Sequence, residues 1–184
     1  RLENIFSLYR PNSALCRLNR TGQLAAPPPE LLELLSLCSV LHRQTGGAFD
    51  PSIQPLWAVL ANAGKLGETP DVTAVETART LIGLHHVRLG TDMISFDLPG
   101  MALTLNGIAQ GYVTDRMTER LRSAGFNDII VNMGEIRAAG NRPDGALWRA
   151  RIATPEGDVL PNRISLDDRA LATSAPLGTF LDPA

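Results

Sequence analysis

Lysine, cysteine, histidine and aromatic side chains are all scarce in this sequence, and each scarcity removes a class of function. Lys65 is the only lysine among 17 cationic residues, and nothing around it matches the glycine-rich loop and Lys-Ser/Thr of a nucleoside-triphosphate site. The two cysteines, Cys16 and Cys38, lie on separate segments without C-x-x-C spacing. That excludes a zinc ribbon or a redox pair and leaves both bridging and burial as thiols open. His42, His85 and His86 form no H-E-x-x-H repeat, so a helical zinc site has no ligands. Ser174 sits in Thr173-Ser174-Ala175-Pro176 rather than in G-x-S-x-G, and no nucleophile elbow results. A net charge of -2 and a pI near 5.9 leave no basic footprint for nucleic acid. The longest apolar runs fall far short of the ~20 residues that span a bilayer.

What is present suits a single domain over residues 1–184, long enough to bury roughly 70% of its unfolded surface. No internal repeat or low-complexity linker interrupts it; only Ala25 to Pro29 is biased, and that stretch introduces a helix. The leucines from Glu30 to Leu41 cover more than one helical face and predict a largely buried helix stopped by Gly46. A short helix over Ile53 to Ala61 follows, then another from a Thr69-Pro70 cap to Ile82. From His86 the pattern predicts strands: Val87 to Leu89, Met93 to Phe96 and Ala102 to Leu105. An amphipathic helix, capped by Asn106 and closed by Gly125, buries Ile108, Tyr112, Val113, Met117, Leu121 and Ala124, with Thr114 and Thr118 on the polar side. Asp128 to Asn132, Ile136 to Ala139, Trp148 to Ile152 and Leu171 to Thr173 read as further strands. Strands in runs, rather than in strict alternation with helices, give an α+β class with helices packed on a largely antiparallel sheet.

Two stretches carry chemistry. In Thr45-Gly46-Gly47-Ala48-Phe49-Asp50-Pro51 a flexible glycine pair leads into an aromatic and an acceptor-only carboxylate. The same glycines also suit a plain helix C-cap and turn. In Leu105-Asn106-Gly107-Ile108-Ala109-Gln110-Gly111-Tyr112 a glycine at a helix start lets first-turn N–H groups face an anion such as a pyrophosphate. An ordinary strand-to-helix turn has the same residues. Tyr9 offers a ring that could stack on a planar ligand or simply pack. Together the two stretches point to a flavin nucleotide.

The residues resemble the FAD:protein FMN transferases of the ApbE type. The likeness spans nearly the whole chain and rests on ordered blocks: Ser7-Leu8-Tyr9 through Ser13-Ala14-Leu15 to Leu18-Asn19, then Thr45 to Pro51, then Leu105 to Tyr112 with Asp115. Asn132-Met133-Gly134-Glu135-Ile136 with Gly140, and finally Ala172-Thr173-Ser174, complete the series.

The resemblance implies a T-fold-like architecture and an enzyme that binds FAD and Mg²⁺, moves FMN onto a threonine hydroxyl of a target flavoprotein and releases AMP. It places Tyr9 on the isoalloxazine, Ala48, Phe49 and Asp50 along the FAD site, Thr104 and Gln110 at FAD contacts, and Gly107 at the metal. Family members usually act outside the cytoplasmic membrane, so a periplasmic protein, or one anchored to the membrane and facing the periplasm, is expected. Many members carry Asp-Leu-Gly-Gly-Ile-Ala-Lys-Gly where this chain has Thr104 to Gly111, which loses an acid and a cation, and Gly-Gly-Asp where it has Met133-Gly134-Glu135. These departures resemble the NosX-like branch associated with nitrous-oxide respiration. The family's N-terminal Met-Gly-Thr block and its later His, Asp and Thr ligands have no counterpart in these 184 residues, so an incomplete metal site is expected. An FAD pyrophosphatase and a non-catalytic flavin-binding scaffold are the other readings.

Overall fold

Caps and apolar spacing account for most of the helices. The computed structural model describes residues 1–153 and 159–173, in two compact units, Arg1–Gly107 and the described residues from Ile108 onward. Ser174 and the Leu181-Asp182-Pro183 segment lie outside the described residues.

The first unit contains α1 (Glu3–Phe6), α2 (Ala14–Thr21), β1 (Gln23–Ala25), α3 (Pro29–Gln44), α4 (Gln54–Leu66), α5 (Val72–Thr80), β2 (Val87–Leu89) and β3 (Met93–Phe96). α2 starts where the Ser13 hydroxyl accepts from the Cys16 N–H at 3.0 Å and ends at Gly22, whose φ of 72° suits a residue without Cβ. α3 begins on Pro29, where the missing N–H costs nothing. It runs to Gln44 and stops just before Gly46, as expected. Leu31, Leu34, Leu35 and Cys38 are fully buried at i, i+3, i+4 and i+7, whereas Leu37 and Val40 are exposed. One face is therefore buried rather than most of the circumference. Both cysteines are free thiols, and burial pushes Cys38 up to about 12. α4 runs to Leu66, beyond the expected Ala61. α5 starts later than Thr69-Pro70 because Asp71 caps it, its carboxylate accepting from the Ala74 N–H at 2.9 Å.

β2 and β3 form the expected antiparallel hairpin. The third strand of their sheet is β1, which pairs antiparallel with β3 in the order β1-β3-β2 and sets Leu24 opposite Ile94. The expected strand over Ala102 to Leu105 is not one. Met101, Leu103 and Leu105 alternate as buried residues, so the apolar pattern is strand-like, but side-chain and isolated backbone partners replace a ladder. The Asn19 amide donates to the Leu103 carbonyl at 2.9 Å and accepts from its N–H at 2.8 Å, and the Thr104 N–H donates to the Pro51 carbonyl at 2.8 Å.

The second unit contains α6 (Ala109–Ser123), β4 (Ile129–Asn132), β5 (Ile136–Ala139), β6 (Trp148–Ala153), β7 (Val159–Leu166) and β8 (Ala170–Leu171). β4, β5 and β8 form an antiparallel sheet against which α6 packs, and β6 pairs with β7 as a separate hairpin. β7 is an element the sequence pattern did not predict. α6 buries Tyr112 as predicted, but its inward face is rotated from the predicted one: Thr114 and Thr118 are also buried and Met117 is exposed. The two hydroxyls donate to the Gln110 and Thr114 carbonyls four residues back, at 2.9 and 2.8 Å. Their polarity is thereby satisfied within the helix and their methyl groups are left to pack. Every named strand pairing is antiparallel, which makes the fold α+β as expected. No described helix is long and apolar enough to cross a membrane.

Candidate functional site

The Thr45–Pro51 loop is built from its own polar atoms. Gly46 and Gly47 take φ values of 61° and 87°, which reverse the chain at the end of α3. The Thr45 hydroxyl donates to the Leu41 carbonyl at 2.9 Å and accepts from the Phe49 N–H at 3.0 Å, closing the loop on the helix. His42, on the last turn of α3, stands inside it. Its Nδ1 lies 2.9 Å from the Phe49 carbonyl and 3.5 Å from Asp50 Oδ2. A carbonyl only accepts, so Nδ1 carries a proton.

Asp50 is turned inward, with 12% of its side chain exposed. Its Oδ1 accepts from the Ser52 N–H at 2.9 Å and from the Ser52 hydroxyl at 2.6 Å, capping a 3-10 turn over Pro51–Ile53. Its Oδ2 accepts from the Leu84 N–H at 3.3 Å, and the Gly83 N–H donates to Ser52 Oγ at 2.7 Å. The carboxylate thus ties the loop to the Leu84 turn. The outward surface of the loop is the exposed Ala48 and the half-buried Phe49. Pro51 also receives the Thr104 N–H, so Thr104 is joined to the C-terminal end of the loop that carries Ala48, Phe49 and Asp50.

Tyr9 lies on a separate loop, between α1 and α2, with 83% of its surface exposed. That loop is held firmly: the Tyr9 N–H donates to Ser7 Oγ at 3.0 Å, and the buried Ser13 hydroxyl donates to the Ser7 carbonyl at 2.6 Å. An aromatic ring kept out of the core on a fixed turn leaves its faces open to a planar partner.

The predicted anion cradle starts later than expected. The Asn106 N–H donates to Thr104 Oγ1 at 3.3 Å, and α6 opens at Ala109 with Ile108 at the cap position and no side-chain cap. Gly107 has open space where a Cβ would stand, so the fold itself does not require glycine there. In the second unit, Gln110 reaches the turn between β4 and β5: a Cβ on Gly134 would come within 2.8 Å of Gln110 Nε2. Two blocks of the resemblance, Gln110 and Met133-Gly134-Glu135, therefore meet.

Glu135 Oε2 is buried without a hydrogen-bond partner, a single donor suited to a cation. Mg²⁺ requires near-octahedral oxygen ligation, and among the described residues no group of three or more His, Cys, Asp or Glu could hold a metal ion. These residues do not complete a magnesium site.

Sequence reasoning missed Ser52 and, although Asn19 closes the first block of the resemblance, gave it no role. The Asp50-Pro51-Ser52 string is a legible cap signal, an Asp before a Pro at the first helical position. Asn19 left a fainter mark, an amide directly after buried Leu18 on α2.

This mixed arrangement of helices on antiparallel sheets is that of the flavin transferases. The flavinyl transferase ApbE of Pseudomonas stutzeri, in its apo form, superposes with a TM-score of 0.79 at 30% identity, covering 90% of this chain and 53% of that one. The flavin transferase ApbE of Vibrio cholerae gives a TM-score of 0.82 at 26% identity, covering 100% of this chain and 60% of that one. The FAD:protein FMN transferase of Vibrio cholerae serotype O1 is 29% identical over 188 residues, 96% of this chain and 55% of the relative. The ApbE family model matches residues 1–183, and the chain belongs to the ApbE family. It spans about half the length of the curated relatives it matches.

Proposed function

We propose that this chain carries the FAD-binding framework of an FAD:protein FMN transferase. In that reaction a threonine oxygen of a target flavoprotein attacks the flavin-side phosphorus of FAD. The pyrophosphate P–O bond breaks, AMP leaves, the hydroxyl proton is released, and FMN remains as a phosphoester. Tyr9 supplies the stacking face, Ala48, Phe49 and Asp50 with Thr104 form the flavin loop, and Gln110 offers an amide to FAD where many members carry a cation. The Thr104–Pro51 hydrogen bond carries the reading, because it ties together two segments of the family pattern 53 positions apart. The names of the relatives support it as well.

Magnesium dependence, with Gly107 beside the ion, belongs to the proposal through the family resemblance. So do a periplasmic or membrane-anchored location and a membrane-bound flavoprotein of nitrous-oxide respiration as the target. The full-length protein is incubated with FAD, with and without Mg²⁺, and with an acceptor flavoprotein, and the acceptor is weighed intact. A gain equal to FMN less one water supports transfer. FMN and AMP in solution with an unchanged acceptor mass indicate the pyrophosphatase, and FAD bound but unconsumed indicates the scaffold.

A further inference from the structure

We propose that His42 is the positioning residue of the Ala48–Asp50 loop, its Nδ1–H fixing the backbone course that presents Ala48 and Phe49 to a flavin nucleotide. The proposal rests on the flavin reading above. Three observations converge on the one ring. Nδ1 lies 2.9 Å from the Phe49 carbonyl and 3.5 Å from Asp50 Oδ2. The other edge lies under Gly47, where a Cβ would meet Cε1 at 3.6 Å and Nε2 at 3.9 Å. The backbone closes around the same residue, since the Gly47 N–H donates to the His42 carbonyl at 2.8 Å.

The loop therefore wraps the imidazole, and the imidazole touches the residues on either side of exposed Ala48. Asp50 is fixed from its far side by Ser52 and Leu84. Phe49 lies between that anchor and the glycine pair, and its carbonyl is held by His42. Both the Nδ1–H tautomer and the imidazolium donate at this position, so the restraint needs no particular charge on the ring.

The chemistry of substitution separates positioning from bulk. The amide nitrogen of Asn stands the same number of bonds from Cα as His Nδ1, whereas that of Gln stands one bond farther, matching Nε2. His42→Asn and His42→Gln are prepared in the full-length protein. FAD affinity is measured by flavin fluorescence, exchange of the Phe49 amide by NMR without ligand, and the thermal midpoint as a control for folding. The expectation is that His42→Gln weakens FAD binding and speeds Phe49 exchange by roughly tenfold each, about one hydrogen bond's worth. His42→Asn stays near wild type in both.

Unchanged Phe49 exchange in His42→Gln overturns the proposal, as does equal loss in both variants with a matching fall in midpoint. Faster exchange with unchanged affinity overturns the link to flavin. If the wild-type protein binds no FAD, the functional reading falls and the exchange comparison alone decides whether His42 sets the loop.

Discussion

Replacing Ser52 by Ala tests the framework that holds the Thr45–Pro51 loop. Ser52 is fully buried, and its hydroxyl joins two chain segments, donating to Asp50 Oδ1 at 2.6 Å and accepting from the Gly83 N–H at 2.7 Å. A hydrogen bond to a charged group contributes about 1.5–3 kcal/mol, and a buried donor left unpaired costs about 1–3 kcal/mol. The Ser52 N–H still serves Asp50 Oδ1 at 2.9 Å after the substitution, so the carboxylate is not orphaned and the upper sum is not reached. The expected loss is about 2–4 kcal/mol, well above the ±0.5 typical of exposed sites. The measurement is urea unfolding in a Trp148→Phe background, which leaves Trp57 as the only tryptophan and places the reporter in the first unit. Ser36→Ala, on the exposed face of α3, is the control. A loss below about 1 kcal/mol for Ser52→Ala, with an unchanged urea slope, refutes the account of Ser52 as the joint between the loop and the Leu84 turn.

Tyr9→Ala should weaken FAD binding about 5- to 150-fold, the equivalent of roughly 1–3 kcal/mol of stacking, with the thermal midpoint unchanged; undiminished affinity takes Tyr9 out of the site. Gly140→Ala should destabilise the second unit by more than the roughly 1–2 kcal/mol of a left-handed residue, because φ is 60° and the new Cβ would stand 2.6 Å from the Asn127 carbonyl and against Asp128. Trp148 fluorescence during unfolding reads it, and a wild-type midpoint counts against the geometry. The hydrogen bond from Arg88, at 2.9 Å, holds the Asp97 carboxyl below the usual carboxylate range. A depressed folded pKa contributes stability above the unfolded value, about 3.9, that is lost as pH falls through the folded one. In Arg88→Met the NMR titration of Asp97 should move upward toward the ordinary value; an unmoved titration refutes the pairing.

Much of this was legible in local chemistry. Pro29 and the leucines of α3, the Val87–Phe96 hairpin and the run of antiparallel strands follow from propensity and spacing. The class of fold follows with them. Several failures share a cause: polar side chains took over work that pattern reading assigns to the backbone or to solvent. Thr114 and Thr118 look solvent-facing until their hydroxyls are seen to bond one helical turn back. Residues 101–105 alternate as a strand does, yet Asn19 and the Pro51 carbonyl supply the partners that a neighbouring strand would. Asn106 resembles a cap, but α6 opens at Ala109 with Ile108 at the cap position, two residues beyond it. At the candidate site the loop could be singled out by residue type and Thr104 by the family resemblance. The inward turn of Asp50 could not, because it depends on Ser52 and on Leu84, 34 residues farther along the chain.

The Asn19 clamp also bears on the order in which the molecule is made. It joins positions 84 residues apart, and closing a flexible loop of that length costs about 4 kcal/mol beyond a constant. Helices α2 and α3 can form from contacts near in sequence, but the clamp must wait until Leu103 has been synthesised. Chain growth runs at roughly 5–20 residues per second and folding proceeds from the N-terminus. For several seconds α2 therefore presents an amide without its Leu103 partner, and Pro51 a carbonyl without Thr104. The junction of Thr104 with the Thr45–Pro51 loop is thus a late product of assembly, and a nascent chain halted before residue 103 holds the loop without its partner.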